Sequence, residues 1–270
     1  MYETHWGLTR SPFPSHWDGR TFYQSPTHEE ALARLHFLVE RHRQLGLLLG
    51  PAGSGKSLLL RFFKGELGRR GAATASMNLF GVGPEDLLPR LAEHLELLVP
   101  ASAGKAALWR MITDRLAEYR YERRDTVLLF DDADQAAPPV LTQLARLIKH
   151  DFSAGGCSTV VLAGRPERLG HLGPQLLELA ELRVDLEPWE PTQTRQFLET
   201  SLAGAGREAP VFTPTATQRL HELGQGVPRR ISQLADLSLL AGAGAELPLV
   251  DADTVEAVHE ELAVALPARN

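Results

Sequence analysis

A short apolar run that passes directly into a glycine-rich turn constrains the fold of this chain more than any other feature. Leu45-Gly46-Leu47-Leu48-Leu49 is long enough for one strand buried on both faces, as in parallel sheets covered by helices. The turn Gly50 to Ser57 follows, and apolar residues at helical spacing from Leu58 to Phe63 predict a helix after it. Strand, tight turn and helix in this order predict the first unit of a parallel α/β sheet.

The turn reads Gly50-Pro51-Ala52-Gly53-Ser54-Gly55-Lys56-Ser57 and matches the pattern G-x-x-x-x-G-K-[ST] of a P-loop. Its glycines let the backbone curl so that successive N–H groups face a phosphate. We expect Lys56 to reach the β- and γ-phosphates of ATP as a point charge, and the Ser57 hydroxyl to bind Mg²⁺. The alternative is a glycine turn with an exposed lysine. The strand before the turn and the helix after it favour the nucleotide site.

A second apolar run, Val127-Leu128-Leu129-Phe130, ends in the carboxylates of Asp131 and Asp132, which is the form of a Walker B strand. Burying an unpaired carboxylate costs about several kcal/mol, so a metal explains the pair better than core packing does. We expect Asp131 to hold Mg²⁺, directly or through water, and Asp132 to polarise the attacking water. The alternative is a plain acidic turn between a strand and a helix.

Three further strand-like runs, at 73–79, 159–163 and 183–186, alternate with amphipathic helices, which predicts a parallel α/β sandwich. After Pro188 the strand-like runs disappear and four helical stretches follow. We therefore predict an α/β nucleotide-binding domain over 1–188, with an irregular segment at 1–26, and a helical lid domain over 189–266.

The predicted helices of the lid are 192–203, 214–224, 228–241 and 251–263, with Thr213-Pro214 starting the second and a flexible break at Gly242 to Ala245. The buried rows predicted for the helices of the first domain are Leu87/Leu91/Leu95/Leu98, Leu108/Ile112/Leu116/Tyr119 and Val140/Leu144/Leu147/Ile148.

The third lid helix opens with Gly226-Val227-Pro228-Arg229-Arg230. Proline suits the first position of a helix, and an arginine one turn in can direct its guanidinium group to a γ-phosphate. We expect this role for Arg229. An ordinary surface arginine is the alternative.

Several short motifs in fixed order carry a family resemblance that covers nearly the whole chain. The chain resembles the AAA+ ATPases of the ExeA/GspA type, with relatives among transposition helpers of the TniB and IstB type and the origin-recognition initiators. Besides the P-loop, the motifs are Gly7-Leu8 with Ser11-Pro12-Phe13, Phe22-Tyr23 with His28-Glu29-Glu30-Ala31-Leu32, Phe130-Asp131-Asp132-Ala133-Asp134, Leu162-Ala163-Gly164-Arg165-Pro166-Glu167, Leu186-Glu187-Pro188-Trp189, Phe212-Thr213-Pro214 and Gly226-Val227-Pro228-Arg229.

The resemblance implies roles for several more residues. Arg229 becomes the sensor-2 arginine, and Arg165 falls in the sensor-1 neighbourhood, where relatives often carry glutamine. An arginine finger that acts on a neighbour's ATP is expected at Arg183, with Arg168 second, although both could be surface arginines. The segment from Phe22 to Thr27, which includes Tyr23, is expected beside the adenine. Sites of this kind form between subunits, so ATP is expected to promote a homo-oligomer.

Two departures from the family pattern affect the expected activity. The second Walker B acid is usually glutamate, and the shorter Asp132 predicts an intrinsically slow ATPase, with Asp134 the next candidate for the catalytic carboxylate. The ExeA proteins continue into a transmembrane segment and a periplasmic wall-binding domain, and neither is expected from this sequence. A role in assembling an export machinery is therefore not inherited from the resemblance.

Composition narrows the partners without identifying one. The formal charge of −6 argues against wholesale wrapping of nucleic acid, and no apolar run is long enough for a membrane span or a signal peptide. A cytoplasmic location is expected. Three functions remain open: an AAA+ switch that acts on a protein partner, a DNA-associated AAA+ regulator of transposition or a related transaction on duplex DNA, and a nucleotide-binding scaffold with little hydrolysis. The phosphate and metal groups favour an ATPase over the scaffold, and the net acidity favours a protein partner.

Overall fold

A computed structural model describes residues 2–14, 23–100, 102–153 and 158–265. The chain divides into two compact units. We call the first the α/β unit, which comprises His28–Pro51 and Lys56–Leu186. We call the second the helical unit, which comprises Met1–Thr27, Ala52–Gly55 and Glu187–Asn270.

Five parallel strands form the sheet of the α/β unit, in the order β2-β3-β4-β1-β5. The three central strands are buried along nearly their whole length, whereas the edge strand β2 alternates between buried and half-exposed residues. This difference explains why the central strands read as continuous apolar runs. The predicted parallel α/β fold is confirmed. The strands are β1 Leu45–Leu49, β2 Ala73–Asn78, β3 Thr126–Asp131, β4 Ser158–Gly164 and β5 Leu182–Asp185.

The helices of this unit bury most of the rows predicted from sequence. The side chains of Leu108, Ile112, Leu116 and Tyr119 are buried. Leu98 was predicted to be buried, which is wrong: its helix ends at His94 and the side chain of Leu98 is 94% exposed. The helices are α2 Pro26–Glu40, α3 Lys56–Arg69, α4 Leu87–His94, α5 Lys105–Tyr121, α6 Pro138–Ser153 and α7 Pro174–Leu179, with 3-10 turns at Ala133–Gln135 and Pro166–Leu172.

The helical unit contains the four predicted lid helices and one short helix that precedes them in the chain. The predicted N-cap of α9 is confirmed, because the Thr213 hydroxyl accepts the N–H of Ala216 at 3.1 Å. The helices are α1 Tyr2–Trp6, α8 Pro191–Gly204, α9 Pro214–Gly224, α10 Pro228–Gly244 and α11 Ala252–Ala265.

The N-terminal segment differs from the prediction, because it contains α1 and packs within the helical unit. The buried Trp6 donates its indole N–H to the carbonyl of Leu239 at 2.8 Å, and the Tyr2 hydroxyl donates to Asp236 at 2.5 Å. Aromatic residues without a helical period gave no signal of this helix. The described part of 1–26 therefore groups with the lid, whereas the sequence had grouped it with residues 27–188.

Two smaller differences concern helix limits. The predicted break at Gly242 to Ala245 is wrong, since α10 continues to Gly244. Gly242 is needed there for space, because an added Cβ would lie 3.1 Å from the ring of Trp6. From the sequence, Thr27 is expected to be the N-cap of the first long helix, whereas α2 begins at Pro26.

Among the described glycines of the helical unit, Gly226, which precedes α10, has the least space for a side chain. Its φ of +67° is unfavourable for other residues, and an added Cβ would lie 2.5 Å from the carbonyl oxygen of Trp189. The N–H of Trp189 in turn donates to the Gly226 carbonyl at 2.8 Å.

Gly226→Ala is therefore expected to lower the free energy of unfolding by at least about 2 kcal/mol, from backbone strain and the close contact. The matched control is Gly244→Ala, where the added Cβ meets no atom within 4 Å and the backbone is helical. The free energy of unfolding of that variant should rise by about 0.5–1 kcal/mol. Urea denaturation of the full chain measures both. Equal midpoints for the two variants would contradict this account of Gly226.

Candidate nucleotide-binding site

Lys56 lies at the start of α3 in the α/β unit, just beyond the end of β1. Its side chain is buried, and its ammonium group donates to the carbonyls of Gly50 at 2.7 Å and Pro51 at 2.9 Å. Burial lowers the pKa of Lys56, and the nearby carboxylates of Asp131, Asp134 and Asp132 oppose that effect. The ammonium group is thus held by neutral carbonyls, which a charged phosphate can replace as the stronger partner.

Residues Ala52–Gly55 of the loop group with the helical unit, where Arg229 lies beside them. Gly53 has a φ of +88° and Gly55 a φ of +98°, so both adopt the left-handed conformation that favours glycine. The backbone N–H of Arg229 donates to the carbonyl of Gly53 at 3.3 Å. A Cβ added at Gly53 would lie 2.9 Å from the Cβ of Arg229. Glycine is therefore required both by the turn and by the approach of α10.

Asp131, the last residue of β3, contacts the two groups that the sequence associated with it. Its carboxylate accepts hydrogen bonds from the Ser57 hydroxyl and, at 3.0 Å, from the backbone N–H of Asp132. Burial raises the pKa of Asp131; the Ser57 hydrogen bond opposes that rise and the charge of Asp132 adds to it. A carboxylate and a hydroxyl in contact are oxygen ligands of the kind that Mg²⁺ prefers, so the residues present fit this ion.

Asp132 is held by a residue that the sequence analysis missed. Its backbone is left-handed, with φ 51° and ψ 36°, and its carboxylate accepts the side-chain N–H of Asn78 at 2.7 Å. The Asn78 amide oxygen also accepts the backbone N–H of Phe80 at 2.7 Å. Asn78 ends β2 and pairs in register with Asp131. A polar residue at the end of β2 could have indicated this contact. The sequence does not show that β2 is the neighbour of β3, so the contact could not be predicted.

Asp134 and Tyr23, the next two residues predicted to lie at the site, each contact specific neighbours. Asp134 is 2% exposed and lies 3.4 Å from the Nε of Arg165, which directly follows β4. In the helical unit, Tyr23 packs on Trp189 and Phe197, with ring centroids 5.6 Å apart in both pairs. The position of Tyr23 beside an adenine stays a prediction, and Phe22 of the same predicted segment lies outside the described residues.

The candidate arginine fingers lie on the surface of the α/β unit. Arg183 is exposed and pairs in register with Leu47, before the end of β1. Its guanidinium group donates to both oxygens of Asp185, with Nε and a terminal nitrogen each at 2.8 Å. This pairing uses two of the three guanidinium nitrogens, so a role in a neighbour's site would fall to the third or require Arg183 to leave Asp185. Arg168 is exposed on the 3-10 turn after β4.

Comparison with known proteins identifies the same fold and the same type of relative. The family model described as "AAA domain" matches residues 39–172. General secretion pathway protein A of Aeromonas hydrophila is 31% identical over 245 residues, which cover 89% of this chain and 45% of that protein. The chain thus spans a little under half the length of this relative.

Solved structures of AAA+ proteins share the fold at low sequence identity. Cdc6p from Pyrobaculum aerophilum is similar with a TM-score of 0.70 and 19% identity, over 95% of this chain and 74% of that one. The Aeropyrum pernix ORC2 protein has a TM-score of 0.65 and 14% identity, over 93% of this chain and 71% of that one. The Thermotoga maritima RuvB Holliday junction branch migration motor has a TM-score of 0.56 and 16% identity, over 94% of this chain and 74% of that one. Among the residues that the structure describes, no helix is long and apolar enough to cross a membrane.

The raised pKa of Asp131 gives a test of the site that does not depend on hydrolysis. Because the folded protein disfavours the charged carboxylate, that charge reduces stability at any pH above its folded pKa, and the penalty is relieved as the pH falls. Asp131→Asn should therefore raise the melting temperature of the nucleotide-free protein at pH 7. With Mg²⁺ and ATP at 100 times Kd, the free energy of unfolding of the wild type should rise by about 2.7 kcal/mol, and that of the variant by far less.

The matched control is Asp114→Asn, which removes a charge from an exposed position on α5. It should leave the stabilisation by Mg²⁺ and ATP unchanged. Thermal unfolding with and without ligand measures all three proteins. If Asp131→Asn gained as much stability from Mg²⁺ and ATP as the wild type does, Asp131 would not be a metal ligand.

Proposed function

Because the chain belongs to the AAA+ ATPases, we propose that it binds ATP with Mg²⁺, hydrolyses it slowly and acts as an oligomeric switch on a protein partner. The observation that carries this proposal is the contact of Asp131 with Ser57 beside the buried Lys56. These are the three side chains that the P-loop and Walker B patterns assign to phosphate and metal. The proposed location remains the cytoplasm.

The residues of the α/β unit supply what nucleotide binding requires. When bound, Mg²⁺ would supply the positive charge that neutralises the phosphates. Ser57 and Asp131 are the residues that would hold it. Lys56 would exchange its contacts with the carbonyls of Gly50 and Pro51 for a phosphate. Arg229, whose backbone is tied to Gly53, is proposed as a further cation for the γ-phosphate.

Two features of Asp132 support slow hydrolysis. A group that orients the attacking water must lie within about 2.6–3.2 Å of it, and aspartate is one methylene shorter than glutamate. A displacement of about 1 Å can cost about a hundredfold in rate. In addition, one oxygen of the Asp132 carboxylate accepts the Asn78 amide N–H, which holds the carboxylate in one orientation and limits its movement towards a water. A slow intrinsic rate lets bound ATP persist long enough to act as a timer.

Substitutions at Asp132 and Asn78 separate binding from hydrolysis. Asp132→Asn should bind ATP with Mg²⁺ as the wild type does and lower single-turnover hydrolysis by about a hundredfold or more. Asp132→Glu should hydrolyse ATP at least as fast as the wild type. Asn78→Ala should raise the rate by up to about tenfold to a hundredfold, since a hydrogen bond to a carboxylate, worth about 1.5–3 kcal/mol, is removed.

The control is the double variant Asn78→Ala/Asp132→Asn, which should be as slow as Asp132→Asn alone. Single-turnover hydrolysis and equilibrium ATP binding are measured on each protein. If Asp132→Asn hydrolysed ATP at the native rate, the catalytic carboxylate would lie elsewhere, with Asp134 next to be tested.

Self-association tests the proposed switch. Sedimentation with a slowly hydrolysed ATP analogue should reveal a species larger than the monomer, whereas ADP should give less of it. Lys56→Ala should remain monomeric under both conditions, because it lacks the cation that binds the β- and γ-phosphates. Arg183→Ala should assemble but lose most hydrolysis if it acts in a neighbour's site. A wild type that stays monomeric in every nucleotide state would favour the scaffold function.

The alternative on duplex DNA predicts a different behaviour. A DNA-associated regulator should show ATPase activity that rises with duplex DNA and returns to the basal rate as salt increases, because phosphate contacts release counterions. A regulator of a protein partner should show no such response. The formal charge of −6 supports the protein partner.

A further inference from the structure

The outer face of α6 carries a row of polar and basic side chains that the function proposed above does not use. The inner face of the helix holds Val140, Leu144 and Leu147 in the core of the α/β unit, so the outer residues stand on a rigid support. Together with Gln175 of the neighbouring helix α7, they line a shallow groove that is open to solvent. The outer residues are Thr142, Arg146, Lys149 and His150.

Trp109 of α5 fixes the position of the Arg146 guanidinium group. The central carbon of that group lies 4.1 Å from the centroid of the indole ring, and the indole packs on the apolar core. The His150 ring meets the same indole edge-on, with ring centroids 5.9 Å apart. A guanidinium group that lies against an aromatic ring keeps the N–H donors at its rim available for another partner. Its orientation is already set, so less side-chain freedom is lost when an acceptor binds.

The charge of this groove is not balanced by its own walls. Among the described residues that line it, none is acidic. Arg146 forms neither a hydrogen bond nor an ion pair with another described residue. By contrast, Arg34 and Arg43 of the same unit each pair with a glutamate. The groove therefore favours a negatively charged ligand from outside the chain.

The side chains of the groove suit carboxylates on a peptide. The fork of N–H donors on Arg146 matches the two oxygens of one carboxylate, and the Lys149 ammonium group can attract a second. Thr142 and Gln175 can both donate and accept, as the hydrogen-bonding groups of a peptide backbone require. The formal charge of −6 opposes the approach of a long nucleic acid, whereas a short acidic segment needs only the local charge. Arginine and tryptophan are also the residues that most often dominate protein interfaces.

We propose that the groove between α6 and α7 binds a short acidic segment of the partner protein, with one carboxylate on Arg146. This inference rests on the proposed function, because that function supplies a protein partner. No residue that lines the groove belongs to the candidate nucleotide site. The partner segment and ATP are therefore bound by different residues, and each can be measured without the other.

The test uses a fluorescein-labelled oligoglutamate peptide and the full chain, with binding followed by fluorescence anisotropy at low salt. The wild type should bind this peptide and should not bind a serine-glycine peptide of the same length. Arg146→Ala should lower the affinity for oligoglutamate by about threefold to tenfold, and Arg146→Lys should recover part of that loss because it keeps the charge without the fork. The double variant Arg146→Glu/Lys149→Glu should show no measurable binding.

The matched control is Arg69→Ala, which removes an exposed arginine of the same unit outside the groove. It should bind oligoglutamate as the wild type does. Thermal unfolding and ATP affinity are recorded for every variant, and the groove variants should retain the wild-type values of both. A short DNA duplex is titrated in the same buffer, and self-association is measured by sedimentation.

The outcomes separate the groove from the function on which it depends. A wild type that binds oligoglutamate but not ATP would overturn the proposed ATPase and not the groove. A wild type that binds ATP but not oligoglutamate, or groove variants that bind the peptide as Arg69→Ala does, would overturn the groove alone. Tighter binding of the duplex that is lost in Arg146→Ala would replace the peptide with nucleic acid. Loss of ATP-dependent self-association in the double variant would instead make the groove an interface between copies of this chain.

Discussion

The parallel pairing of β4 with both β1 and β3 is the constraint on which the candidate site depends. Gly164 pairs with Leu49, and Phe130 pairs with Leu162, so three strands reach the same edge of the sheet together. Lys56 and Ser57 at the start of α3, the carboxylates that follow β3 and Arg165 after β4 are thereby brought together. The apolar strands thus fix the positions of these polar groups, including the like charges of Asp131 and Asp132, which repel each other.

The parts of this arrangement that were predictable from sequence are those with a local signal. The three central strands are buried on both faces and therefore read as continuous apolar runs, and the P-loop has a fixed spacing. The lid helices had proline or capping residues at their starts. By contrast, the contact of Asn78 with Asp132 depends on which strands are neighbours, which a single chain does not record in its local pattern.

The predictions that were wrong also failed because local pattern does not show which residues are neighbours in the fold. Leu98 continues a helical period that the chain does not use, because α4 ends earlier at His94. Gly242 looked like a break but lies inside α10, where the ring of Trp6 fills the space that a side chain would need. A glycine can signal flexibility or close packing, and only the partner that approaches it decides. Gly226 is the opposite case, since its motif suggested phosphate binding and its backbone also has a purely structural task beside Trp189.

The hydrogen bonds of α1 with α10 have a consequence for how the chain acquires its structure during synthesis. The Tyr2 hydroxyl and the Trp6 indole find partners 234 and 233 residues later. Translation proceeds at about 5–20 residues per second, so α1 waits on the order of ten seconds or more before α10 exists. During that interval a tryptophan that ends almost completely buried is exposed to water and to other chains. The helical unit therefore carries a high contact order and an early aggregation risk that its short local helices would not suggest.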